Sequence, residues 1–339
     1  MNPITQDLLR GAAGSSVPAI AVAHAVTPFI SVYPWSSGFG TKYANPATLP
    51  TSVGYGVAFS PNGTDIAVAH DISPFISVYP WSSKFGTKYA NPATLPTGIG
   101  RSVTFNPSGT VIAIGHNTSP YISVYPWSSG FGTKYANPAT LPTASGFGVA
   151  FNSSGTVIAI AALDSAAPIY VYPWSSGFGA RYTNPGTVPS STAQCIAFSP
   201  SGTALALGSG LTPFITVWNW SSGFGSKYTN PATLPSGSGS GVAFNPSGTA
   251  IAVAHAVTPF ISVYPWSSGF GTKYANPATL PTGTGRGVAF SPSGTDIAVA
   301  HDTSPYISVY PWSSGFGTKY ANPATLPTGN GNSVAFSPA

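Results

Sequence analysis

Hydrophobic residues along this chain come in runs of five or six, each closed by proline or glycine, and large and small side chains alternate within the runs. From Asp296 to His301, for example, Ile297, Val299 and His301 fall on one side and only Ala298 and Ala300 on the other. A period of two over so short a length predicts a β-strand. Neighbouring segments supply three more: Val288 to Phe290 before it, Tyr306 to Trp312 after it, and Gly317 to about Ala321 beyond. Ser291 to Gly294 is a turn between the first two, with proline presetting the bend and glycine accepting positive φ. After the fourth strand, Asn322-Pro-Ala-Thr-Leu-Pro reads as an extended crossover. Neither face of such a sheet carries charge, so both must be covered, and a small Ala/Ser face meeting a Val/Ile/Phe face lets identical sheets stack.

The same pattern recurs along nearly the whole chain. The tryptophans that end the third strand are Trp35, Trp81, Trp127, Trp174, Trp220, Trp266 and Trp312, 46 residues apart except for one step of 47 between Trp127 and Trp174. Periods of this size signal solenoids, propellers or arrays. From Val17 the chain enters the unit partway through, and it stops after a first strand, so Val334 to Phe336 belongs beside Ile20 to His24. Joining the two ends closes a ring and hides the edges an open stack would expose. The predicted architecture is therefore all-β: a seven-bladed β-propeller of four-stranded antiparallel blades over residues 17–339, preceded by an arm, residues 1–16, that matches no part of the repeat.

The unit resembles the WD-repeat propellers. VAFSPSG stands at the first turn, and the third strand ends in an aromatic residue; in FITVWNW, Trp218-Asn219 is one amide away from that family's dipeptide. Elsewhere tyrosine replaces the tryptophan and proline the acid, and the family's Gly-His before the first strand is missing throughout. Tandem units this alike also resemble phage-encoded and metagenomic propellers, which implies a virion or extracellular surface as the setting.

Composition narrows the function. Charged residues make up 5% of the chain, glutamate is absent, and the formal charge of +5 comes from dispersed cations without the basic block of a nucleic-acid arm. Apolar runs are too short to span a membrane, and the N-terminus lacks the basic and apolar regions of a secretory leader. The single cysteine, Cys195, starts a first strand, where a small apolar residue suffices. No cofactor motif is found, since Gly-x-Gly runs such as Gly283 to Gly285 precede a strand and no helix. The six aspartates are scattered over separate units and form no acid–base pair, so no enzyme activity is expected.

Four sets of recurring positions remain as candidates. His24, His70, His116, His255 and His301 occupy one place per blade, with Ala162 and Ser209 in the other two. Residues on separate blades of a wide ring do not converge on one metal; the resemblance to WD-repeats, where a second-strand serine at this place bonds within its own blade, implies instead a bond from His301 to Tyr310 or Asp302, and from His70 to Tyr79 or Asp71. Lys42, Lys88, Lys134, Lys227, Lys273 and Lys319, with Arg181, put a cation on each outer strand, where lysine protects an exposed edge. The seven tryptophans are expected to pack over the corner; their alternative is a set of sugar-stacking pockets, a lectin-like reading.

The fourth set differs from blade to blade. Just before the first strand stand Tyr55, Arg101, Phe147, Gln194, Ser240, Arg286 and Asn332, six different side chains in seven similar units. The loops between second and third strands vary as well, and in propeller topology both sets of connections emerge on one face. That uneven face, through Tyr55, Arg101, Phe147, Gln194, Arg286 and Asn332, is the expected recognition surface for a protein partner, arginine and tyrosine being prominent in binding hot spots.

Overall fold

The computed structural model describes residues 17–338; the proposed arm, residues 1–16, lies outside the described residues. Each repeat forms one antiparallel sheet. In the Trp81 blade the strands from the axis outward are Gly54–Phe59, Asp65–His70 and Ile76–Pro80. Every residue of the second strand is buried, in this blade and in the other six. The alternation that predicted the strand has its reason here: Ala67 and Ala69 pack toward one neighbouring blade while Ile66 and Val68 pack toward the other.

The ring closes as the repeat pattern requires. Gly331–Phe336 pairs with Ala19–His24, which pairs with Ile30–Pro34, so one sheet is built from both chain ends. Ser337 donates its N–H to the Ala19 carbonyl and accepts the Ala19 N–H on its hydroxyl, both at 2.8 Å. Ser60 and Asp65 make the same reciprocal pair across the continuous turn of the Trp81 blade.

The fourth strand differs from the expectation. Among the described residues only the Trp220 blade has a regular one, Phe224–Lys227 paired with Ile215–Trp220. Elsewhere the outer segment hangs on single contacts: Trp81 bridges Phe85, Gly86 donates to the Pro80 carbonyl, and Tyr89 donates to the Val78 carbonyl. The cause is proline. Pro80 faces the outer edge and has no N–H to give to a ladder. In the Trp220 blade Asn219 stands there instead, and its side-chain amide donates to Ser226.

Two contacts tie each blade to the one before it. The third-strand tyrosine donates its hydroxyl to the carbonyl of a threonine in the incoming crossover: Tyr79 to Thr48, Tyr125 to Thr94, and so on to Tyr33 and Thr325 across the closure. In the Trp220 blade the indole N–H of Trp218 makes the same bond to the Thr187 carbonyl at 3.1 Å. Tyrosine and tryptophan interchange at this position because each is a large ring ending in a donor. Below it, each corner tryptophan sits edge-on to three rings. Trp81 meets Phe59 and Phe85 of its own blade and Tyr43 of the preceding one, with centroids 5.1–5.8 Å apart.

Replacing Tyr125 by phenylalanine removes one such bond and leaves the Thr94 carbonyl unpaired. Urea unfolding of Tyr125→Phe is expected to show a loss of about 1 kcal/mol; an unchanged midpoint would mean that the bond contributes nothing between blades.

Candidate binding site at the channel mouth

The variable residue of each blade is the extra residue of a β-bulge. Gly285 pairs with His301 and Gly287 with Ala300, leaving Arg286 between them without a partner. The same shift isolates Tyr55, Arg101, Phe147, Gln194, Ser240 and Asn332. A bulge turns a side chain out of the strand's alternation, and here it turns seven of them to one place. Together they line the mouth of the central channel, a cavity of about 420 Å³. Sequence reasoning identified the residues but started the strand after them, because a bulge has no signature in the apolar pattern.

A close contact holds each bulge. The residue before it is glycine in six blades, and a Cβ on Gly285 would strike the carbonyl oxygen of Phe260 in the preceding blade's upper loop. Gly54, Gly100, Gly146, Gly239 and Gly331 face the equivalent carbonyls of Phe29, Phe75, Tyr121, Phe214 and Tyr306. The exception is Ala193, which follows the one blade whose upper loop is rebuilt, Leu163 to Pro168. The extra residue of the 47-residue step thus frees the space that a methyl group occupies next door.

The mouth is not uniform around its circumference. The guanidinium of Arg101 lies over the Tyr55 ring at 4.3 Å and over the Phe147 ring at 5.0 Å, flanked by aromatic residues of both adjacent blades. Its Nε is buried without a partner. Arg286, farther round, pairs with Asp302 at 3.4 Å, and Asn332 donates to the Gly54 carbonyl at 2.9 Å. Deeper in, the wall is made of small residues, including Gly56, Ser102, Gly148 and Cys195. Burial pushes the Cys195 thiol up to about 12, so it stays a neutral thiol at physiological pH.

The upper loops border this mouth. The Asp71 N–H donates to the Val53 carbonyl of the incoming crossover and the Asn117 N–H to that of Ile99, which puts both sets of connections on one face. Four of the five exposed large hydrophobic residues among those described are tips of these loops: Val26, Ile72, Leu211 and Val257, each 50–60% exposed. The sequence showed that the loops vary. An apolar residue directly before Thr-Pro or Ser-Pro was the signal for these tips.

The histidines face inward. All five are fully buried, and each shares a 3.0 Å hydrogen bond through Nε2 with a third-strand serine, as His301 does with Ser308. His70 and His301 also donate from Nδ1 to the loop carbonyls of Ile72 and Thr303. The bond stays within the blade but goes to neither Tyr310 nor Asp302. Tyr310 lies opposite Ile297, too far along the strand, whereas Ser308 lies opposite Val299, diagonal to His301. Burial lowers each imidazole to about 4. Where Ala162 replaces the histidine, Tyr170 replaces the serine, and its ring carries Arg181 at 3.9 Å. Comparing the repeats with one another would have exposed that paired change. Among the described residues, no group of three or more potential ligands is placed to hold a metal ion.

Burial weighs against the sugar-stacking alternative. Trp35, Trp81, Trp127, Trp174, Trp220, Trp266 and Trp312 are each only 3–6% exposed. Each packs against the three rings described above, which leaves little indole surface for a pyranose. The outer-strand cations are half-buried rather than free: Lys88 is bonded to Asn91 and Arg181 to Asn184. Desolvation lowers the ammonium groups of Lys42, Lys88, Lys134, Lys273 and Lys319 below their usual range. Two aspartates are buried on the opposite side: Asp65 accepts from Trp127 and Tyr89, and Asp296 from Trp35 and Tyr320.

Seven sheets in a closed ring with a channel at the axis define a seven-bladed β-propeller. Its backbone is similar to two putative 6-phosphogluconolactonases. The one from Bacteroides uniformis gives a TM-score of 0.71 at 16% identity, over 95% of this chain and 99% of the other. The one from Bacteroides fragilis gives 0.74 at 11%, over 96% and 99%. The periplasmic gluconolactonase of Pseudomonas aeruginosa gives 0.70 at 14%, over 94% and 99%. At such identities the likeness speaks for the fold alone. No family model and no curated protein matches the sequence.

Gly285→Ala should destabilise the protein by on the order of 1–3 kcal/mol, since the obstructing atom is backbone, whereas Ala193→Gly should cost less than 1 kcal/mol. Denaturant midpoints of the two variants test this, and equal effects would remove the clash as the reason for glycine. The histidines predict acid sensitivity. Folding depresses their pKa from 6.5 to about 4, so the unfolded chain binds more protons between these values and stability falls as pH drops through that window. Each histidine loses about 2 kcal/mol by pH 5. The double variant His255→Ser/Ser262→Thr, which copies the pair Ser209 and Thr216, should flatten the slope of melting temperature against pH. A wild-type profile that is level from pH 7 to 5 would contradict the assignment of neutral imidazoles.

Proposed function

We propose that the chain is a non-catalytic recognition propeller whose upper face engages a protein partner. The observation that carries this reading is the coincidence, on one face, of the seven bulge residues and the exposed apolar loop tips. Diversity at the bulges leaves the strand ladders unchanged, because Arg286 and its counterparts stand outside the strand pairing. A central arginine held between aromatic rings, surrounded by apolar tips, has the composition of an interface core with charged residues sparse around it. The resemblance of the units to WD-repeat propellers supports the same role, and their likeness to phage-encoded tandem propellers makes a virion or extracellular surface our proposed setting.

The gluconolactonase titles of the structural neighbours raise a hydrolytic reading, but the side chains at this mouth favour binding. Asp302, the carboxylate that reaches a residue of the mouth, is engaged by Arg286, and the imidazoles are buried against serines inside the blades. None of these is poised as a general base toward the channel. No helix among the described residues is long and apolar enough to cross a membrane.

Arg101→Ala combined with Arg286→Ala is expected to weaken partner binding about 30-fold or more while shifting the melting temperature little. Ile72→Ser with Leu211→Ser should also weaken it, and Lys84→Ser on the lower face should not. Co-purification followed by affinity measurement on each variant checks this; equal binding by all of them would refute the upper-face reading.

A further inference from the structure

The channel mouth has a charge balance that points to its ligand. Its lining holds two guanidinium groups, from Arg101 and Arg286, with Gln194, Asn332 and serine hydroxyls between them, and no carboxylate among the described residues. The two arginines are separated by three blades in one direction and two in the other, so they face each other across the axis. Asp302 offsets Arg286 from outside the cavity. No carboxylate among the described residues forms an ion pair with Arg101.

Arg101 is also the side chain whose geometry is fixed. Its guanidinium lies over both the Tyr55 and the Phe147 ring, and its N–H donors have no protein acceptor among the described residues. A half-buried cation with unused donors in a concave site is costly unless a counter-charge arrives. The planar edge suits a bidentate oxyanion, and holding it in place beforehand reduces the ordering entropy lost on binding. A volume of about 420 Å³ accepts a small organic anion or an inserted side chain.

Resting on the upper-face reading above, we propose that the channel mouth is an oxyanion site in which Arg101, clamped by Tyr55 and Phe147, takes a carboxylate or phosphate group, with Arg286 and Gln194 completing the cradle. The group belongs either to a free small anion or to an acidic side chain that a protein partner inserts. Both sources present the same atoms to Arg101.

Calorimetric titration of the full-length protein at low ionic strength separates the sources, using citrate, inorganic phosphate and a short glutamate-rich peptide as probes. At least one probe should bind with one-to-one stoichiometry and weaken at least tenfold in Arg101→Gln. Lys88→Gln, at the periphery, should leave the affinity unchanged. Binding of citrate or phosphate assigns the site to a small anion, and binding of the peptide alone assigns it to a partner's side chain; either supports the inference. Gln194→Glu, which puts a carboxylate in the cavity, provides the same test should Arg101→Gln fail to fold, and it too should weaken binding tenfold. Absence of binding by all three probes, or binding indifferent to both variants, overturns the proposal. If none of the three probes binds while partner capture survives Arg101→Gln and is lost in Ile72→Ser/Leu211→Ser, the upper-face reading stands and the oxyanion site falls.

Discussion

A blade of this protein cannot hide its own faces, and the contact that solves the problem is the one each third strand makes with the blade before it. A buried ring sits against the preceding sheet and gives its one polar atom to the carbonyl of the incoming crossover, seven times around the circle. The apolar body supplies contact area, and the hydroxyl or indole N–H removes the penalty of burying a polar tip. Because each sheet depends on its neighbours in this way, stability belongs to the ring rather than to any unit of it. Closure then adds a last pair of neighbours and removes the two free ends of the stack.

That dependence sorts the chain into positions that must repeat and positions that are free. Corner tryptophans, third-strand tyrosines and crossover threonines each touch a second blade, and they are nearly invariant among the units. The bulge residues touch the channel, and they vary. The bulge separates the two demands, since adding one unpaired residue between Gly285 and Gly287 changes the wall of the mouth without disturbing the ladder on either side. The variable side chains thus sit on ladders whose pairing does not depend on them.

Much of this was legible before any coordinates. The 46-residue period gave the blade count, the alternation in Asp296–His301 gave the second strand to the residue, and matching the head of the chain to its tail gave the closure. What escaped was set by backbone geometry. The residue pattern runs the third strand through the proline to the tryptophan and predicts a full fourth strand beyond it, yet the missing N–H of Pro80 and its equivalents leaves the outer segment on single contacts. The serine partners of the histidines depend on register, which composition does not encode. The arginine clamp depends on bulges in three successive blades bringing Tyr55, Arg101 and Phe147 side by side, and nothing in a one-dimensional alignment of units brings neighbours' side chains together.

The Trp174 and Trp220 blades carry the departures: Ala162 with Tyr170, Ser209 with Thr216, and Cys195 against Gly208, where an added methyl would collide with the thiol. Seven segments this alike compete for the same docking sites as the chain collapses, and a segment from another molecule would serve almost as well. These complementary oddities act as a keyed joint in an otherwise interchangeable chain. A strand exchanged there for its counterpart from another unit meets a filled space or leaves an empty one, so strand swapping is penalised near the middle of the sequence, far from the seam that completes the ring.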